Sequence, residues 1–94
     1  MIYKINITVP LVNNNGDTKQ TLLADLKDVR TKLDAAIKSL QHAGGSYAHG
    51  RNYQLNPAGD SQKAYREHCE RFDQLGRIAH ELLEIEYAIS QQGK

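Results

Sequence analysis

Apolar side chains recur through residues 17–43 with the rhythm of a helix. Leu22, Leu26, Val29, Leu33, Ala36 and Leu40 step by four and three, and charged residues fill most of the positions between them. At about 3.6 residues per turn, that spacing keeps all of these side chains on one narrow strip, the kind one helix offers another in a hairpin or coiled coil. Asp17, followed three positions later by Gln20, matches a capping box and predicts the start of this helix. Asp28 and Lys32, and likewise Asp34 and Lys38, sit four apart in the favourable order. Gly44 and Gly45 predict its end, since glycine accepts the positive φ that closes many helices.

The N-terminal segment has a different period. Tyr3, Ile5, Ile7 and Val9 alternate with Lys4, Asn6 and Thr8 until Pro10, which predicts a strand over 1–11 with one face buried. From 44 to 59 the helical period is lost, and glycine, tyrosine, asparagine and proline accumulate. Tyr47-Ala48 and Tyr53-Gln54-Leu55, flanking His49-Gly50-Arg51-Asn52, suggest a short hairpin that would give the first strand a neighbour. Without it, the strand would have to pair with its copy in a second subunit.

A second long helix is expected over 60–92, capped by Asp60 or Ser61. Tyr65, Cys69, Phe72, Ala79 and Leu83 share one face, which is expected to meet the first helix, with Gly76 in the same line allowing close approach of another backbone. Ile78, Leu82, Ile85 and Ile89 form a neighbouring strip. One partner helix cannot cover both strips, so the second is buried either under the strand layer or against another subunit; self-association is favoured, and a homodimer or larger homo-oligomer is expected. The resulting fold class is α+β and helix-dominated, in the order β-α-β-β-α, within a single domain.

Composition narrows the function classes. Twelve basic and eleven acidic residues leave a formal charge of +1, well short of the positive balance of a domain that binds nucleic acid mainly through phosphates. One cysteine, Cys69, excludes an intramolecular disulfide, which points to a reducing cytoplasm. No stretch approaches the roughly 20 apolar residues of a membrane span, and no membrane partner is expected. There is no internal repeat and no low-complexity segment.

No catalytic or metal-ligating set emerges. Adjacent His68 and Cys69 diverge by about 100° around a helix, so they can neither share a metal nor form a nucleophile–base pair. His80 lies about 16 Å further along the same helix, beyond proton transfer. The expected roles are structural: Cys69 as a small buried hydrophobe, His68 at the flank of the core, and His42 favouring the negative end of the first helix. Lys63, Arg66 and Arg77 share a face with Glu70 and Asp73, a pattern of compensating pairs on a solvated surface. Glu86 falls within the apolar arc of the second helix and needs a partner if buried, a lysine of the first helix or a group from another subunit.

The segment 44–55 carries the most chemistry. Tyr47, His49, Arg51 and Tyr53 combine hydroxyls, an imidazole and a guanidinium with glycine-rich backbone, a set suited to a protein contact or to an anion or nucleotide. The chain therefore reads as a non-enzymatic module without cofactor or metal. It would bind a larger protein partner and modulate it, by occlusion, through this loop. A nucleotide- or anion-sequestering oligomer using the same residues is the alternative, and a nucleic-acid-binding accessory protein ranks third.

Overall fold

A computed structural model describes residues 7–92 as an antiparallel pair of helices, α1 (Lys19–Ala43) and α2 (Asp60–Ser90), with a single 3₁₀ turn at Gly50–Tyr53 in the connection. The helical hairpin is as expected, whereas the β elements are absent among the described residues. Of the strand proposed for 1–11, residues 1–6 lie outside the described residues. Ile7 to Val12 run irregularly, because their polar groups are taken up by the end of α2. Val12 N–H donates to Gln92 Oε1 at 2.9 Å, and Gln92 Nε2 donates to the Pro10 carbonyl at 2.9 Å. Lys19 Nζ adds a 2.6 Å bond to the Gln92 carbonyl. The β-hairpin of 47–55 is replaced by successive tight turns, described below with the site they build.

The helix ends differ in detail from the spacing argument. Thr18, one residue beyond the proposed Asp17, caps α1: it has extended backbone, and its hydroxyl accepts from Thr21 N–H at 3.1 Å. Gly59 precedes α2 with φ 95°, the one left-handed residue among those described, and there is no side-chain cap. Gly44, expected to take positive φ, is right-handed at φ −58°. Its glycine has a different cause, which lies in the loop. Of the charge pairs, Asp28–Lys32 (3.0 Å) and Asp73–Arg77 (3.7 Å) form, whereas Asp34 turns to Arg30 at 4.0 Å instead of Lys38.

The seam between the helices is rotated from the expected one. On α1 the sheltered positions are Leu22, Leu26, Arg30, Leu33, Ile37 and Leu40, while Ala36 is exposed and Val29 is 51 % exposed. The slip of one residue at 30 and 37 follows from an ion pair in the seam. Arg30 Nε donates to Glu86 Oε2 at 2.6 Å and Arg30 Nη2 to Oε1 at 3.3 Å, with side-chain exposures of 27 % and 13 %. The two-pronged bond saturates a carboxylate that would otherwise be costly to shelter. This hydrogen bond holds the Arg30 guanidinium above its ordinary pKa against the opposing effect of desolvation, with smaller raising contributions from the charges of Glu86 and Asp34.

On α2 the line facing α1 runs through Ala64, His68, Phe72, Leu75, Ala79, Leu82, Glu86 and Ile89. It lies between the two apolar strips expected from the sequence, so α1 covers the inner margin of each and neither in full. Outside the seam, Tyr65 is 57 % exposed, Leu83 47 % and Tyr87 64 % on one side, and Ile78 is 49 % exposed on the other. Among the described residues only Ala48, His68 and Ile89 are buried. Ile89, assigned to self-association, is fully buried within the chain, near the end fastened by Gln92. No helix of the described residues is long and apolar enough to cross a membrane.

Candidate functional site

The connection between the helices is a closed system of hydrogen bonds. After α1, Ser46 and Tyr47 N–H both donate to the Ala43 carbonyl at 2.9 and 3.1 Å, and His49 N–H donates to Ser46 at 3.1 Å. Asn52 and Asn56 N–H then close turns onto the carbonyls of His49 and Tyr53, each at 3.0 Å. These i to i+3 and i+4 bonds occupy the backbone groups a strand ladder would need, which accounts for the missing hairpin.

Side chains fasten the turns to one another. Tyr53 OH donates to the Tyr47 carbonyl at 2.6 Å, Asn52 Nδ2 to Ser46 at 2.7 Å and Arg51 Nη2 to Gly45 at 2.9 Å. His49 Nδ1 accepts from Arg51 N–H at 3.1 Å, capping the 3₁₀ turn and leaving the imidazole proton on Nε2. The loop docks on α2 through Tyr47, whose hydroxyl shares a 2.6 Å hydrogen bond with His68 Nδ1 and whose ring meets the imidazole edge-on at 5.3 Å. Gly44 lies against the other side of that imidazole, where a Cβ would collide with His68 Nε2. Clearance for a buried histidine, and not backbone freedom, is what requires glycine here.

All of the sequence-proposed binding residues, Tyr47, His49, Arg51 and Tyr53, thus fall in this one loop, but in two different roles. Tyr47 and Tyr53 direct their hydroxyls inward and build the loop. His49 and Arg51 are exposed, and Arg51 makes no carboxylate pair among the described residues. The loop also displays a residue that was read only as part of a strand: Leu55 is 102 % exposed. The Tyr53-Gln54-Leu55 alternation points to a strand, so the sequence carries no separate signal for an exposed Leu55.

Beside the loop, an open cleft of about 490 Å³ runs between Gly44, Ala48, His49 and Gly50 and the first turns of α2, Ser61, Gln62, Tyr65 and Arg66. Arg66 and the His49 imidazole line it, and no carboxylate does. A second hollow of about 410 Å³ lies on the other side of Tyr65, against Gln41, His68, Cys69 and Phe72. Cys69 is exposed there, contrary to its expected burial, and His68 is buried in the seam instead of at its flank. A hydrogen bond with Cys69, then its electrostatic influence, then desolvation raise the Tyr65 phenol above its ordinary pKa. No group of three His, Cys, Asp or Glu side chains among the described residues converges as a metal site would.

No family model, curated protein or solved structure matches this chain.

Proposed function

We propose that the chain is a non-enzymatic interaction module of the cytoplasm, a small homo-oligomer that binds a larger protein through the loop end of the hairpin and modulates it by occlusion. The observation that supports this reading is the bracing of the loop. Three side-chain bonds onto its own carbonyls and the Tyr47–His68 contact hold exposed His49, Arg51 and Leu55 in one arrangement. A surface ordered before contact loses little conformational entropy on binding. Arginine and tyrosine are frequent anchors of protein interfaces, and Arg66 and the exposed Tyr65 line the cleft beside the loop.

The test uses Leu55→Asp and Arg51→Ala. Leu55 is fully exposed and Arg51 gives up one exposed hydrogen bond, so both variants should keep the wild-type circular dichroism. Cross-linked capture from cells that make the protein should identify a larger protein with the wild type and recover it at least several-fold less with each variant. Equal recovery would remove the loop from the interface and the proposal with it.

The carboxylate-free lining of the 490 Å³ cleft favours the alternative, a nucleotide or other anion held by His49 and Arg66. With Tyr47 and Tyr53 turned inward, stacking would fall to Tyr65. Such a ligand at about a hundred times its dissociation constant adds about 2.7 kcal/mol of stability, so a nucleotide panel in a thermal-shift experiment separates the readings.

A further inference from the structure

We infer that a second copy of this chain docks on the stripe of α2 made by the exposed Tyr65, Cys69, Leu83 and Tyr87 around Gly76, antiparallel and with its two-fold axis at Gly76. The inference rests on the homo-oligomer part of the proposed function. It moves the interface away from the Ile78, Leu82, Ile85 and Ile89 strip, where Ile89 is fully buried and Leu82 and Ile85 are half-buried within the chain.

The stripe is symmetric about one residue. Cys69 and Leu83 are each seven positions from Gly76, and Tyr65 and Tyr87 are each eleven from it. A two-fold axis at Gly76 therefore lays Cys69 on Leu83 of the second copy and Tyr65 on Tyr87 of the second copy, as a self-complementary interface requires. Glycine in mid-helix is unfavourable, and nothing in this chain lies within 4 Å of the place where a Cβ at Gly76 would stand. Close approach of the second α2 supplies the reason the single chain lacks.

Charge agrees with the same axis. On the solvent edge of the stripe, position 66 faces position 86 of the second copy and 73 faces 79, so Arg66 comes within a helical turn of Glu84 of the second copy and Asp73 within a turn of Arg77 of the second copy. Both pairings oppose unlike charges. Surface area agrees as well. The chain exposes 7123 Å², against roughly 5,500 Å² for a compact monomer of its mass. The surplus exceeds the roughly 800 Å² that each partner contributes to an ordinary stable interface. The resulting assembly has four helices, with the two loop ends displayed at opposite poles.

The test is made on the full chain. Light scattering should give twice the 10.6 kDa of one chain. Gly76→Leu, whose Cβ would meet nothing of this chain within 4 Å, should halve that mass while keeping the helical circular dichroism. In oxidised Leu83→Cys, native Cys69 should be trapped by the new cysteine of the second copy as a covalent dimer. Wild type should not cross-link, because its two Cys69 residues stand about 21 Å apart along the axis. A wild-type monomer at tens of micromolar overturns the inference, as does a dimer that Ile78→Cys traps and Leu83→Cys does not. Loop-dependent capture that survives in a monomer would keep the interaction reading while this interface falls. A trapped dimer whose capture ignores Leu55→Asp would do the reverse.

Discussion

Gly44 and Gly59 bracket the loop and are glycines for opposite reasons. Gly59 adopts φ 95° with open space around it, so a side chain there meets only the backbone penalty of the left-handed region. Gly59→Ala should cost about 1 kcal/mol in chemical denaturation and leave the loop's contacts unchanged. Gly44 has an ordinary helical φ and no space, because the His68 imidazole fills it. Gly44→Ala must push His68 away from Tyr47, so about 1–3 kcal/mol should be lost, together with the near-ultraviolet signature of Tyr47. Equal losses without a change in tyrosine signal would refute the distinction. The sequence marks both positions as breaks. The reason for Gly44 depends on a histidine 24 residues later, and neighbouring residues carry no trace of it.

The helices show why their extent was legible and their rotation was not. Periodicity, charged pairs and glycine punctuation place α1 and α2 within a few residues, since those signals act inside one element. Which face of α1 turns to α2 is decided between elements. Val29 looks like a seam residue by type, but Arg30 takes the sheltered position because Glu86 sits in the facing line of α2 and needs two donors. The need of Glu86 for a partner if buried was readable, but the partner expected within the chain was a lysine of α1 and the structure supplies Arg30. Removing one partner leaves a half-sheltered charge without its match, whereas removing both leaves an apolar seam. Arg30→Leu and Glu86→Leu should therefore each lower the melting temperature, and the double variant should recover most of the loss. A double variant that melts at the sum of the two single losses would show that the pair is not coupled.

As a whole molecule the hairpin is long and thin, 60 × 23 × 18 Å, with a radius of gyration of 18.5 Å, against about 12 Å for a compact domain of this length. Two helices can bury one seam between them, and here that seam holds an ion pair and a histidine along with its leucines. The sequence displays more apolar surface on α2 than one neighbour can cover, and that surplus was legible. How it divides was not: α1 settles between the two strips, closes over Ile89, and leaves Tyr65, Leu83 and Tyr87 open. A fold short of burial inside one chain draws stability from association, so its unfolding must depend on how much protein is present. Each tenfold dilution of a folded dimer removes about 1.4 kcal/mol of the free energy opposing dissociation and unfolding. The melting temperature of the wild type should accordingly fall stepwise on dilution from hundreds of micromolar to the low micromolar range, while that of Gly76→Leu should be low and independent of concentration. A wild-type melting temperature that does not move with dilution would mean that the single hairpin holds itself together through the Arg30–Glu86 seam, the Gln92 clamp and the braced loop alone.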